Sequence, residues 1–565
     1  MRRIKTSSKG NSAPSSAVQF AGDLMTIRFA KPFDIASYDL FLKCKALPES
    51  HLERDDKFNF TVSAPARFAP ILGVKSQRRK VNALPFPKFL FEHQSEILKL
   101  ALDAKRFAVW SDVGTGKTLI ELEFARQVAH LTRARVLIVT LNEIIEQMIE
   151  EAERFYGRKL SIHRINSRAE MRRWCAGPHD GAIAVTNYEK FNPDEEGQVI
   201  NELRHLGGLI LDESSRLKGG GGKQKWALIH SSKGIPYKLS CTATPAPNDV
   251  IEFASQASFL ERMRSDNEII WTFFARDPDT QEWTVKRHAR KAFFEWMSAW
   301  SIFLQDPRRY GWSSTIKLPP KPEMIYHRIE ATPAQLEAMR RYSVESDGQL
   351  SLFASKDQGI VGRSKFSQIA KGFVYERTLK HLVDSGLFPR QLTERIESYK
   401  PRFVAELIKK ETKLNPLVWT VFDEEGEIIA EELRAIGFNR FEVLSGSTPK
   451  TQRQDMLDRY RQGKTPVLIS KGKLLGYGMN FQHCGSMIFS GWNDSFEQFY
   501  QEVGRAVRYG QTRAVRIHLP FIEELERAQL DNVLRKASQF QELVSEQEAA
   551  YIAAMCNLKL IKEVL

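Results

Sequence analysis

The octet Ser111-Asp112-Val113-Gly114-Thr115-Gly116-Lys117-Thr118 follows the apolar run Phe107–Trp110 and opens the helical pattern Leu119–His130. Strand, glycine loop and helix in that order make a phosphate-binding loop, and such a loop commits the chain to a parallel α/β sheet. Gly114 and Gly116 let the backbone curl, so that N–H groups of the segment Asp112, Val113, Gly114, Thr115 and Gly116 face phosphate oxygens. The helix N-terminus adds partial positive charge. Lys117 has the reach for the β- and γ-phosphates, and the Thr118 hydroxyl suits Mg²⁺. The expected ligands are therefore ATP and Mg²⁺.

The surrounding text supports that sheet. Short Val-, Ile- and Leu-rich runs at Val136–Thr140, Ala182–Thr186 and Gly208–Leu211 alternate with helical pattern such as Glu143–Tyr156. Strands alternating with helices imply parallel pairing with helices on both faces. The rhythm lapses after Leu260 and returns at Leu417–Phe422, Phe441–Leu444, Val467–Ser470, Ser486–Phe489 and Val515–Leu519. The expected fold is α/β: two tandem RecA-like domains, with a small N-terminal α+β module and a helical insertion.

The expected division is a disordered basic tail over 1–20, an accessory module over 21–85 and a first ATP-binding domain over 86–260. A helical insertion over 261–395, a second domain over 396–525 and a C-terminal helical segment over 526–565 complete it. In the insertion Trp271, Trp283, Trp296 and Trp300 accompany Arg287, Arg290, Arg308 and Arg309. Tryptophan as core is the plain reading; a nucleic-acid-facing arm is the sharper one.

Gly208–Leu211 ends in Asp212-Glu213. At the C-terminal end of a strand in a parallel sheet, these acids face the ligand crevice. Asp212 suits Mg²⁺, and Glu213 suits the general base that polarises the attacking water. Ser214–Lys218 then leads into the glycine run Gly219–Gly222, read as a surface loop. Lys238–Pro245 delivers Thr242 and Thr244 to the same crevice, where hydroxyls can link phosphate state to domain closure. In the second half, Gly476–Phe481 is a glycine-marked turn, with Gly478 a candidate nucleotide contact. The run Gln501-Glu502-Val503-Gly504-Arg505-Ala506-Val507-Arg508 sets Gln501, Arg505 and Arg508 on or near one helical face. Arginine is a planar, permanently charged fork that matches phosphate, and one brought in from another domain stabilises transition-state charge.

Composition narrows the partners. The 565 residues carry a formal net charge of +14, which favours a polyanion, nucleic acid before membrane surface. The five cysteines lie far apart with no CxxC pair, against a disulfide framework or cysteine zinc site and in keeping with a reducing cytoplasm. No apolar run reaches membrane-span length, and the Ser-rich N-terminus lacks the apolar core of a secretory signal.

Taken in order, the motifs resemble the helicase superfamily that contains the DEAD/DEAH-box proteins, and within it the Swi/Snf-type ATPases. Leu90-Phe91-Glu92-His93-Gln94 resembles the LRxxQ box, and Thr242–Asn248 the TGTPxxN box. Leu444–Thr448 with Arg453 resembles the DGST-xxxR box, and Gly491-Trp492-Asn493 before Gln501–Gln511 the DWNP…QxxxRxxRxGQ run. The resemblance covers roughly Phe89–Leu260 and Lys400–Pro520. The acidic box departs from the pattern, reading Asp-Glu-Ser-Ser. The compact form is similar to helicase-like ATPases of bacteriophages and bacteria.

This resemblance implies that Gln94 reads adenine. It also implies a nucleic-acid backbone running across both domains, held by Thr140, Asn142, Thr186 and Tyr188 after strands of the first. Ser447, Thr448 and Lys471 would hold it in the second. Backbone contacts carry no base information and weaken with salt. Translocation on double-stranded DNA is the expected activity. An RNA unwinder, whose SAT box is absent here, and a DNA-binding scaffold with an inert ATPase are the alternatives. A nuclease-bearing restriction subunit lacks a recognisable PD-(D/E)xK pattern.

Overall fold

The computed structural model describes residues 18–21, 24–29, 35–45, 47, 50–56, 59–72, 83–193, 199–218, 222–247, 249–263, 266–276, 283–313, 318–347, 356–377, 391–475 and 479–564. Two wholly parallel sheets dominate it. The first has seven strands in the spatial order Ser301–Leu304, Arg106–Ser111, Tyr237–Thr242, Gly208–Leu211, Val136–Thr140, Ile183–Asn187, Ile162–Arg164. The second has six, ordered Glu323–Ile329, Arg516–Ile522, Ser486–Phe489, Leu417–Thr420, Leu468–Lys471, Glu442–Leu444. Central strands are buried along their whole length, as in Val136–Thr140 and Gly208–Leu211. That is why they read as continuous apolar runs. Each sheet carries helices against its faces, the arrangement of tandem RecA-like domains.

A four-stranded antiparallel sheet (Val18–Ala21, Leu24–Phe29, Phe60–Pro65, His51–Arg54) with the helix Ile35–Lys45 forms the N-terminal α+β module. Its first strand begins inside the stretch read as a tail. Pairing of Val18 with Ile27 recruits it to the sheet.

The stretch 261–395 is not a unit of its own. Ser301–Leu304 joins the first sheet beside Arg106–Ser111, and Glu323–Ile329 joins the second beside Arg516–Ile522. Both are edge strands whose partners lie far away in sequence, so no local pattern marks where they belong. Among the described residues of this stretch there are also the helices Asp266–Phe273, Arg290–Ser298, Pro333–Asp347 and Lys356–Ala370 and two antiparallel strand pairs. Trp300 is fully buried, its ring edge-on to Trp110 at 5.6 Å, while Trp271 is 79% exposed.

The helix Glu523–Val564 leaves the second sheet and returns to the first lobe. Glu546 pairs with Arg290 at 2.7 Å, Gln547 donates to Ser301 Oγ at 2.5 Å, and Phe540 packs on Phe303. Phe540 also touches Phe496 and Tyr500 of the second lobe, so this helix straps the two together. Among the described residues no helix is long and apolar enough to cross a membrane.

Candidate active site

The phosphate loop joins strand Arg106–Ser111 to helix Lys117–Thr132. Gly114 and Gly116 have φ of 88° and 82°, the left-handed region where a side chain is strained. Lys117 folds back, its Nζ donating to the Ser111 carbonyl at 2.7 Å. Thr115 Oγ1 donates to the Asp112 carbonyl at 2.8 Å, and Asp112 Oδ1 accepts the Val113 N–H at 2.6 Å. Thr118, next along the helix, is half-buried.

Gln94 does not stand open toward a nucleotide base. It is fully buried, and its amide nitrogen donates to the carbonyl of Gly116 at 3.2 Å while its oxygen accepts the Phe91 N–H at 2.9 Å. The missing Cβ of Gly116 makes room for that amide. Gln94 buttresses the loop from beneath, with His93 Nε2 3.1 Å from the Thr115 carbonyl.

Asp212 and Glu213 follow strand Gly208–Leu211 at its C-terminal end. Asp212 Oδ2 accepts from Thr140 at 2.6 Å and Oδ1 from the Glu213 N–H at 2.9 Å. Glu213 sits at φ 49°, an uncommon conformation for a non-glycine residue and one concentrated at functional sites. Thr242 donates to its Oε2 at 3.3 Å. Burial, then the Asp212 charge, pushes the Glu213 carboxyl up to about 7. Burial also raises Asp212, against the Thr140 hydrogen bond and the Lys117 charge that lower it. Thr244 Oγ1 is buried beside them with no hydrogen-bond partner among the described residues.

Sequence reading missed Glu121. One turn past Lys117 on the same helix, it is fully buried and faces Asp212 and Cys241, within hydrogen-bonding reach of both. Burial, then the Asp212 charge, holds its carboxyl well above the usual range. The signal was present: an acid four residues after the loop lysine stands on the same helical face.

Three expected nucleic-acid contacts are turned inward. Thr140 serves Asp212, the Thr186 hydroxyl donates to the Ile165 carbonyl at 3.3 Å, and the Tyr188 hydroxyl donates to the Asp212 carbonyl at 2.6 Å. All three are buried. They end strands or sit just past them, and in a sheet covered on both faces such positions point into the core as readily as out of it. Asn142 is exposed and accepts from Asn187 at 3.1 Å. In the second lobe Ser447 is exposed, Thr448 Oγ1 accepts the Ser445 N–H at 3.0 Å, and Lys471 pairs with Asp423 at 2.6 Å.

The second lobe meets the phosphate loop directly. The helix Phe496–Val503 ends at Gly504, so Gln501 is helical but Arg505 and Arg508 lie beyond it in a turn. The single helical face expected for the three does not form. The turn packs closely on the phosphate loop: a Cβ on Gly504 would lie 2.9 Å from Val113 Cγ2, and one on Gly114 2.9 Å from the Tyr509 nitrogen. Arg505 is buried with its guanidinium 5.7 Å from the Trp419 ring, and Arg508 donates to the Met479 carbonyl at 3.4 Å. Tyr500 donates to Asp112 Oδ1 at 2.6 Å, and Lys218 pairs with Glu497 across the same seam. Gly478 lies outside the described residues.

The residues fit the expected ligands. A left-handed glycine cradle, a lysine and a helix N-terminus suit a triphosphate. One hydroxyl and one buried carboxylate suit Mg²⁺, which takes few protein ligands and completes its shell with phosphates and water.

Two family models match the chain in the order of its lobes: the type III restriction enzyme res subunit over residues 88–247, and the helicase conserved C-terminal domain over residues 399–510. The chain thus pairs the two lobes of a helicase-type, nucleic-acid-dependent ATPase. Putative protein p41 of Acyrthosiphon pisum secondary endosymbiont phage 1 is 25% identical over 450 residues, 75% of this helicase-type chain and 91% of p41. Helicase SWR1 of Debaryomyces hansenii is 32% identical and that of Yarrowia lipolytica 33%, each over 130 residues and 22% of this chain. The matches span only 8% and 7% of those two proteins. Among solved structures, the Sulfolobus solfataricus SWI2/SNF2 ATPase core in complex with dsDNA aligns over 84% of this ATPase and 96% of that chain, with a TM-score of 0.36 and 17% identity.

Proposed function

We propose that this ATPase couples ATP hydrolysis to movement along double-stranded DNA. The observation that carries the reading is the seam itself: the turn bearing Arg505 and Arg508 meets the phosphate loop, whose Lys117 faces Asp212 and Glu213. Lys117 leaves the Ser111 carbonyl to hold the phosphates, with backbone N–H groups of the loop. Thr118 and Asp212 would hold Mg²⁺, which would neutralise phosphate charge. Glu213 takes a proton from the attacking water, a task that suits a carboxyl near neutral pKa. Arg505 and Arg508 add positive charge only when the lobes are together, so hydrolysis depends on closure.

Motion follows from that dependence. Each cycle of closing and opening shifts one lobe against the other, and with it the grip of Asn142 against that of Ser447, Thr448 and Lys471. The net charge of +14 and the family support a nucleic-acid track. The resemblance of its motifs to those of Swi/Snf-type ATPases supports a duplex.

Hydrolysis by the purified protein, measured alone and with duplex DNA, single-stranded DNA or RNA, tests the reading beside Lys117→Ala and Glu213→Gln. Stimulation by duplex DNA that both variants lose is expected, followed by displacement of a triplex strand. Stimulation by RNA alone overturns the DNA reading, and DNA binding with no hydrolysis leaves a scaffold.

A further inference from the structure

The Tyr500 hydroxyl crosses from the second lobe to the phosphate loop of the first, 2.6 Å from Asp112 Oδ1. That oxygen also accepts the Val113 N–H at 2.6 Å, so one carboxylate joins the loop backbone to the opposite lobe. The ring is held in place: Phe496 lies 5.7 Å away and Phe540, on the strapping helix, 5.5 Å. The hydroxyl is thus aimed by packing that would survive its removal. On either side, Val113 faces Gly504 and Gly114 faces the Tyr509 nitrogen, too close for a side chain on either glycine. Tyr500 therefore stands at the centre of the contact, five residues before Arg505 and eight before Arg508.

We propose that Tyr500 is a positioning residue for hydrolysis: its hydrogen bond to Asp112 pins the arginine turn in register on the phosphate loop. The inference rests on the ATPase reading above. Asp112 belongs to the segment that nucleotide must rearrange, since Lys117 Nζ lies 3.5 Å from its carbonyl and 2.7 Å from that of Ser111. A loop carrying phosphates and a loop without them present Asp112 differently to Tyr500, and the arginines behind it follow. Burial and the Asp112 charge hold the phenol well above its ordinary pKa, so it donates throughout the working pH range.

The test uses the full chain with Tyr500→Phe, Asp112→Asn, Asp112→Ala and Tyr500→Phe/Asp112→Ala. Two readouts are taken: ATP hydrolysis with saturating duplex DNA, resolved into kcat and KM, and amide hydrogen exchange of residues 111–118 without nucleotide. Loss of a hydrogen bond to a charged group should lower kcat about tenfold in Tyr500→Phe, with KM changed less than about twofold. Asp112→Asn keeps an acceptor oxygen and should lose less of the rate than Asp112→Ala. The double variant should be no slower than the worse single one. Exchange at Val113 and Gly114 should rise in Tyr500→Phe while the strand Arg106–Ser111 stays protected. Unchanged kcat and exchange in Tyr500→Phe, or losses that add in the double variant, overturn the proposal. If the wild-type chain does not hydrolyse ATP, the functional reading fails by itself, and the proposed role in hydrolysis falls with it, whatever exchange says of the bond.

Discussion

Thr140 Oγ1 donates to Asp212 Oδ2 at 2.6 Å. The bond assigns a residue expected on the nucleic-acid track to the orientation of a carboxylate suited to Mg²⁺. Partners that fix a ligating carboxylate typically matter 10–100-fold. Thr140→Val keeps the shape and removes the donor, so the Mg²⁺ concentration giving half-maximal ATPase should rise by about tenfold or more. Affinity for duplex DNA without nucleotide should stay within about twofold. Weakened DNA binding with an unchanged Mg²⁺ dependence would return Thr140 to the track.

The two loop glycines should be intolerant for different reasons. Both pay left-handed strain when substituted, about 1–2 kcal/mol. At Gly116 a Cβ also collides with the Gln94 amide, whereas at Gly114 it meets the backbone of the other lobe. Gly116→Ala should weaken binding of a fluorescent ATP analogue by about tenfold or more, with partial rescue by Gln94→Ala. Gly114→Ala should not be rescued by Gln94→Ala. Equal rescue of both would show that the two glycines meet the same obstacle.

Arg505 and Arg508 should affect rate more than binding. An arginine supplied across a domain boundary is worth about 10³–10⁵ in hydrolysis. Arg505→Ala and Arg508→Ala should each lower DNA-stimulated kcat at least a hundredfold, about the low end of that effect less any contribution from the remaining arginine. Analogue binding should change little. A variant with normal kcat and raised KM would show that its arginine serves ground-state binding instead.

His327 and His518 give a pH dependence of stability unrelated to the nucleotide site. His327 Nε2 lies 2.9 Å from His518 Nδ1, one ring donating and the other accepting. Burial lowers both from the ordinary 6.5, Lys410 adding to this at His327, while Glu411 opposes it at both. Arg516 also faces His518 and lowers it. A folded pKa below the unfolded one means the native state binds fewer protons. The stabilisation is therefore fully present above about pH 6.5 and is lost as pH falls through the folded values. Relative to wild type, His518→Asn should flatten the fall in Tm between about pH 7 and 5. Parallel Tm curves would remove the pair from the account.

Much of this was legible because it was local. The octet Ser111–Thr118, the acids after Gly208–Leu211 and the buried strand runs each carry their meaning in a few neighbouring residues. What was hidden depends on distant pairing. Ser301–Leu304 is a short apolar stretch that becomes a first-sheet strand only because Arg106–Ser111 has an open edge. Tyr500 is one aromatic among several until Asp112 meets it. Thr140 and Lys471 both end strands, yet Thr140 is buried against Asp212 inside the first sheet while Lys471 meets the more exposed Asp423, and nothing local to either residue marks that difference.

Lys471 and Asp423 make the last prediction. Their 2.6 Å ion pair joins the end of strand Leu468–Lys471 to the first turn of helix Asp423–Ala435, and Asp423 also accepts the Gly446 N–H at 3.1 Å beside Ser447 and Thr448. A phosphate at this edge must compete with Asp423 for Lys471. Lys471→Ala should weaken duplex binding and reduce the slope of log affinity against log salt by about one. Asp423→Asn keeps an acceptor for Gly446 while releasing the ammonium, and should tighten binding and steepen that slope. If both variants leave the slope at its wild-type value, Lys471 serves only its ion pair and the track across the second lobe runs elsewhere.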